Sequence, residues 1–249
     1  MPKVSVVVPC YNHGDFLMET LDSLQAQTFT DFEVIVVNDG STDNATVSLL
    51  QNLKQSRTRV IHTDNRGVSA ARNRGIDESL GEYILPLDSD DKIAPAYLDL
   101  AVNLLNTNPE AAIVYCERVL FGERDGIDPL PEYDPRALLV DNCIYPAALF
   151  RKADWKAVGG YNEKMIYGWE DWDFWISLSS LKRQVVKIPK PLFFYRVRGT
   201  SRDHSLRFLP KLAMMSLIIL RHKRLYLRNL DLLMKRVLDV LTGKLTTQK

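Results

Sequence analysis

Cysteine is scarce in this chain: Cys10, Cys116 and Cys143 are the only three among 249 residues, and no CxxC pair occurs. Thiols so few and so far apart make neither a disulfide framework nor a structural zinc site, and they point to a reducing compartment. Long apolar runs are missing as well. The first one stops at Pro9, too short for the core of a secretion signal. The most apolar stretch, Leu212–Leu220, holds nine residues against the roughly 20 that a bilayer crossing requires. A cytoplasmic protein is the expectation. Also absent are GxGxxG after the first strand, a P-loop and a GxSxG elbow, which argues against dinucleotide binding, P-loop phosphate chemistry and serine hydrolysis.

What is present describes a folded protein: 46% of residues are hydrophobic and 25% are charged, so disordered and fibrous chains are excluded. The net charge of +1 conceals an asymmetry. Residues 1–195 carry 19 Lys/Arg against 28 Asp/Glu, whereas residues 196–249 carry 13 against 3. An acidic body therefore ends in a basic tail, which favours phosphate, an anionic membrane surface or another acidic partner.

Residues 3–8 and 33–37 are short, β-branched and almost continuously apolar, the pattern of parallel strands buried on both faces. Between them Phe16, Leu17, Leu21 and Leu24 recur at helical spacing over Asp15–Gln27, completing a βαβ unit. The alternation continues: helix over Asn44–Gln55, strand over Arg59–His62, helix over Ser69–Ser79, strand over Glu82–Leu87, helix over Ala96–Asn106, strand over Ala112–Tyr115. This order predicts a three-layer α/β fold with a mostly parallel sheet, whose ligands sit at the carboxyl ends of the strands near a switch in strand order. From Gly122 to Asn142 three prolines and six acids predict a long surface excursion. Order returns over Ile144–Arg151, in a helix over 171–180 and in a strand near Val185–Ile188; Leu206–Leu245 reads as largely helical.

Three acidic segments could carry chemistry. Asp39, in Asn38-Asp39-Gly40-Ser41-Thr42-Asp43, ends the second strand, where it serves either a turn and helix cap or a ligand's hydrogen-bond donor. Asp88-Ser89-Asp90-Asp91 directly follows a buried strand; three carboxylates so close repel one another unless a cation or donors compensate. Mg²⁺ or Mn²⁺, which pair few carboxylates with phosphate oxygens and water, is the natural compensation. Glu170 and Asp171 lie between Trp169 and Trp172, and partly apolar surroundings raise a carboxyl pKa in the way a general base requires. The same acids would also suit a helix start, and the two tryptophans either pack in the core or stack on a sugar face. Arg66 and Arg72 flank a helix start where an anion could bind, or else they are solvated. Arg196, Arg198, Ser201, Arg202 and His204 fall in a Gly-containing loop that reads as a flap over phosphates.

In their order VSVVVPCYN, VIVVNDGSTD, NRGVSAARNRGI, ILPLDSDD, GGYNE, GWEDWDFWISL and YRVRGTS, spread over about residues 3–203, resemble the inverting family 2 glycosyltransferases of GT-A fold. The resemblance implies a nucleoside pocket of Pro9, Tyr11, Asn12 and Asp39, with Arg66, Arg72 and Asp88 also toward the nucleotide. It implies a metal-diphosphate site at Asp88, Asp90 and Asp91 of a DxDD motif, a closing flap with Arg196 and Ser201, and Asp171 as base with Glu170 beside it. Trp169 and Trp172 would face the acceptor. The reaction implied is metal-dependent transfer of a sugar from a nucleotide-sugar, a UDP-sugar first, to an acceptor hydroxyl of a glycan or lipid-linked saccharide, as in surface polysaccharide synthesis.

A GT-A catalytic domain over 1–205 and a basic, Leu-rich helical extension over 206–249 follow. The extension can pack on the body, pair two copies or lie on the inner face of a membrane. Its bases interleave with Leu and Met and almost no aromatics, so no nucleic acid partner is expected. A sugar nucleotidyltransferase would carry a Gly-rich loop where Pro9-Cys10-Tyr11-Asn12 stands. The other class is a catalytically inactive protein of the same fold that binds a glycan or a partner, and the intact acids count against it.

Overall fold

A computed structural model describes residues 1–199 and 208–241. β1 (Val4–Cys10), β2 (Phe32–Asp39), β3 (Thr58–Thr63) and β4 (Tyr83–Pro86) form the parallel half of one nine-stranded sheet, in the order β3-β2-β1-β4. The apolar continuity of β1 and β2 has a direct cause. Val4, Val6, Val8, Val34 and Val36 enter one core while Val7, Ile35 and Val37 enter the other, so both faces of each strand are covered. α1 (Gly14–Gln25), α2 (Asn44–Asn52) and α4 (Tyr97–Thr107) put Leu17, Leu21, Leu24, Leu50, Leu98 and Ala101 into the first core. α3 (Val68–Asp77) covers the opposite face with Ala71 and Ile76. Three layers result. Gly75 sits where a Cβ would lie 2.5 Å from a Val7 methyl, so α3 approaches the sheet closely only because that residue is glycine.

Beyond β4 the sheet is mixed. β8 (Leu149–Arg151) runs antiparallel to β4 and to β6 (Ala111–Gly122), while β9 (Gln184–Val197) lies parallel to β6 and pairs antiparallel with the two-residue β5 (Lys92–Ile93). The strands expected over 112–115 and 185–188 are thus only parts of strands of 12 and 14 residues. The 122–142 excursion is also less irregular than its composition suggests, because β7 (Gly126–Asp128) folds back onto β6 and a 3₁₀ turn forms at Ala137–Leu139. α5 (Lys152–Val158) and α6 (Glu170–Ser179) complete the body.

The C-terminal segment forms α7 (Phe208–Arg221), α8 (Lys223–Arg228) and α9 (Leu230–Leu241). Met214, Met215, Ile218 and Tyr226 are buried in the second core beside Phe174, Trp175 and Leu139. Of the three dispositions open to this segment, packing on the body is realised by these residues. No helix among the described residues is long and apolar enough to cross a membrane.

Strand order reverses at β1, with β2 on one side and β4 on the other. The crevice at a switch point of this kind opens at the strands' carboxyl ends. Pro9–His13, Asp39–Asp43 and Asp88–Asp91 all leave the sheet there.

Candidate active site

The loops after β1 and β2 are stapled together by Asn12. Its Oδ1 accepts from the backbone N–H groups of Thr42 (2.7 Å) and Asp43 (3.1 Å), and its Nδ2 donates to Thr42 Oγ1. Asn12 adopts the left-handed region, φ 53°, which asparagine tolerates better than other side chains. Its amide is engaged in shaping the crevice, and the residue stays exposed at the rim where the nucleoside pocket is expected. Tyr11, 43% exposed, is left with an open ring, while Pro9 is buried. Asp39 is buried and accepts from the N–H groups of Arg66 (2.9 Å) and Gly67 (2.8 Å) just before α3. The Arg66 side chain extends outward to Glu163 at 2.9 Å, so this residue reaches the crevice through its backbone.

Arg72 organises the centre. On α3 and only 1% exposed, it sends one guanidinium nitrogen to Asp88 Oδ1 (2.6 Å) and the other to Glu170 Oε1 (2.9 Å), above the Tyr161 ring. A residue that sequence reading could leave in solvent is thus the internal counter-ion of two acidic motifs. Asn73 secures the arrangement from the next position: its Oδ1 accepts from the Tyr161 N–H (2.9 Å) and from Trp155 Nε1 (3.2 Å). Gly160 is required in that turn, since its φ is 71° and a Cβ would lie 2.7 Å from Asn73 Oδ1.

Asp88, Asp90 and Asp91 diverge. Asp88 turns to Arg72, Asp90 meets Arg198 at 2.6 Å, and Asp91 accepts the Arg196 N–H at 2.9 Å. Burial pushes the Asp90 carboxyl up, the Asp88 charge adds to this and Arg198 opposes it. Burial lifts Asp91 further, with repulsion from Asp90 and Asp88. Asp91 Oδ2 is buried, with no hydrogen-bond partner among the described residues. Asp91 is therefore a fastener between β9 and the acidic loop, and not the open ligand expected of it. Among the described residues no three His, Cys, Asp or Glu side chains gather as a metal-binding group. Asp88 and Asp90 are hard oxygen donors, and the Asp88 charge helps to disfavour that of Asp90; such a pair suits a divalent ion whose other ligands are phosphate and water.

Arg196 is also displaced from its expected role. It ends β9, its Nε donates to the Asp90 carbonyl and its guanidinium pairs with Glu19 over the Phe16 and Phe121 rings. Arg198, two residues on, presents the cation to Asp90 and comes within 3.4 Å of His13 Nε2. His13, whose Nδ1 lies 3.3 Å from Ser89 Oγ, has no signature in sequence beyond following the β1 motif. Ser201, Arg202 and His204 lie outside the described residues.

At the start of α6, Trp169 takes a left-handed conformation, φ 63°, and turns the chain so that Glu170 faces Arg72 and Asp171 faces the 122–142 excursion. Asn142 of that excursion donates from Nδ2 to Asp171 Oδ2 at 2.9 Å. Its own Oδ1 accepts the Ile144 N–H, which fixes the amide so that the NH₂ must face the carboxylate. Burial raises the Asp171 pKa to about 7, repulsion from Glu170 adds to it, and Arg72 opposes it. Trp172 is buried, and its Nε1 donates to the Leu138 carbonyl at 2.6 Å; it belongs to the core, not to an acceptor surface. Trp169, edge-on to it at 5.6 Å, is only partly covered.

The sequence profile of glycosyl transferase family 2 matches residues 5–187, a span holding both acidic motifs and all four strands of the parallel half-sheet. The chain belongs to that family. It is 31% identical over 221 residues to the uncharacterized glycosyltransferase RT0329 of Rickettsia typhi, covering 82% of this chain and 64% of that one. It is 38% identical over 104 residues to the uncharacterized glycosyltransferase YibD of Escherichia coli, 41% of this chain and 30% of the relative. A chondroitin synthase of Pasteurella multocida matches 73% of this chain at 29% identity, but only 19% of its own length. The chain thus spans under two thirds of these relatives. Its architecture is the GT-A fold of Staphylococcus aureus TarS, residues 1–349, with a TM-score of 0.69 at 24% identity, covering 88% of this chain and 65% of that one. A structure of the same TarS region in complex with UDP-GlcNAc matches with a TM-score of 0.71 at 23% identity, covering 88% and 66%.

Proposed function

We propose that this family 2 member is an inverting glycosyltransferase that moves a sugar from a UDP-sugar to an acceptor hydroxyl on a glycan or lipid-linked saccharide. The observation that carries the reading is the division of labour around Arg72. Glu170 and Asp88 are held by the guanidinium, and burial beside them raises Asp171 to about 7, where a general base works at neutral pH. The TarS structure with UDP-GlcNAc supports a uridine donor by likeness.

Tyr11 stacks the base and Asp39 accepts its N–H in this reading. The diphosphate lies between Asp88, Asp90 and Arg198 in the same reading. Asp88 and Asp90 would hold Mg²⁺ or Mn²⁺, which would neutralise the charge on the departing diphosphate. Asp171 takes the proton of the acceptor hydroxyl, whose oxygen bonds to the anomeric carbon from the face opposite the diphosphate. The bond from that carbon to the diphosphate oxygen breaks, and configuration inverts. Partly covered Trp169 flanks the acceptor side.

Thermal denaturation with UDP, GDP, dTDP and CMP, with and without Mn²⁺, tests the donor half on wild type and Asp90→Asn. A ligand bound only by the native state raises the melting temperature. A shift with UDP that needs Mn²⁺ and vanishes in Asp90→Asn is expected. A larger shift with another nucleotide reassigns the donor, and a shift indifferent to metal removes the proposed ion.

A further inference from the structure

We propose that the outward side of α8 and α9 seats the protein on an anionic lipid bilayer. These helices have two apolar sides, and the body uses one. Tyr226 is fully buried, and Leu225, Leu232 and Leu233 pack against the second core. Away from that contact Leu227 of α8 and Leu230 and Met234 of α9 are 61%, 58% and 68% exposed, the last two four residues apart on one face of α9. A helix that needed only to cover the body would carry polar residues there.

The charge beside this stripe is mainly positive. Lys223, Arg224, Arg228 and Lys235 are exposed, and among the described residues none of them forms an ion pair. The acid of the same surface, Asp231, is held by Arg136 of the body. Exposed leucine and methionine flanked by lysine and arginine is the composition of a helix lying in the headgroup layer, apolar residues down and cations among the phosphates. With 12 residues, α9 can lie in that layer but not cross it.

An anionic surface fits better than a second copy. Pairing two of these faces about a two-fold axis would set four cations against four, a like-charge contact that association avoids. The acidic body, with 28 Asp/Glu against 19 Lys/Arg over residues 1–195, is itself repelled by anionic lipid. Only the basic end can approach, so the charge asymmetry also sets the orientation.

Co-sedimentation of the full chain with phosphatidylcholine vesicles, with and without about 30% phosphatidylglycerol, tests this. The bound fraction should rise roughly tenfold with the anionic lipid and fall in high salt. Leu227→Glu/Met234→Glu and Lys223→Glu/Arg224→Glu should each abolish binding without moving the melting temperature, because all four side chains are exposed. If a double variant does melt lower, Met234→Ser and Lys235→Gln serve as milder replacements. Equal partition onto neutral and anionic vesicles, retention of binding by both double variants, or no binding at all would overturn the proposal. So would a dimer in light scattering that these substitutions dissociate, which would make the face a self-interface. The readout is partition alone, so it stands whatever nucleotide the crevice takes.

Discussion

Asp171 owes its chemistry to its neighbours, and each neighbour can be removed singly. Asp171→Asn keeps the shape but cannot accept a proton, so turnover should fall by about 10²–10⁴ while the nucleotide-induced melting shift persists. Retained turnover would remove Asp171 as the base. The same substitution should also alter stability in a pH-dependent way. A carboxyl at about 7 in the folded protein and near 4 in the unfolded chain favours folding below pH 4 and loses that contribution as pH rises to 7. The asparagine protein should therefore melt progressively higher than wild type between pH 5 and pH 8, and parallel melting curves would contradict the raised pKa. Asn142 acts in the opposite direction. Its N–H favours the ionised form, so Asn142→Ala should move the acid limb of the kcat/KM profile to higher pH. An unchanged limb with a lower kcat would mean that Asn142 only orients the carboxylate.

At the scale of elements, α3 ties the donor side of the site to α6. Arg72→Ala strands two carboxylates, one of them on buried Glu170, and loss of one partner from a buried pair costs about 3–5 kcal/mol. Denaturant titration should show that loss, and Arg72→Lys should restore only part of it because an ammonium lacks the two-pronged geometry. No local pattern could have announced this contact, since Arg72 and Glu170 lie 98 residues apart in sequence. The elements legible in the chain were those with a clear apolar pattern: the near-continuous apolar runs of β1 and β2 and the leucine spacing of α1 and α4. β9 was legible only over 185–188 because Pro189 and Pro191 interrupt the run, and the structure accommodates them with register shifts near Cys116 and Glu117 of β6. Ending the strand early placed Arg196 on a flap, whereas the full strand anchors Arg196 against Glu19 and the Asp90 carbonyl and leaves Arg198 to pair with the Asp90 carboxylate.

At the scale of the whole molecule, the division between a body over 1–205 and an extension from 206 is crossed by buried contacts. Asp173 of α6 is fully buried, and its carboxylate is met from α7 by Arg221 and from the following turn by His222 at 2.9 Å. Tyr226 donates to the Leu139 carbonyl at 2.8 Å, and Met214, Met215 and Ile218 close the second core together with Phe174 and Trp175 of α6. A chain cut after residue 205 would leave Asp173 without those partners and would expose the apolar surface that these residues cover. Burial of each such side chain contributes about 1.5–3 kcal/mol, and loss of partners from a buried charge costs more. Such losses are of the order of the whole stability of a domain. The truncated chain should therefore aggregate or melt without a cooperative transition, as calorimetry and gel filtration would register. A soluble, cooperatively folding 1–205 fragment would instead mean that the extension is an accessory to a self-sufficient body. If the truncation fails to fold, a lost function cannot be assigned to the tail by deletion, and its outward face must be probed by substitutions at Leu227, Met234, Lys223 and Arg224 that leave the inward face in place.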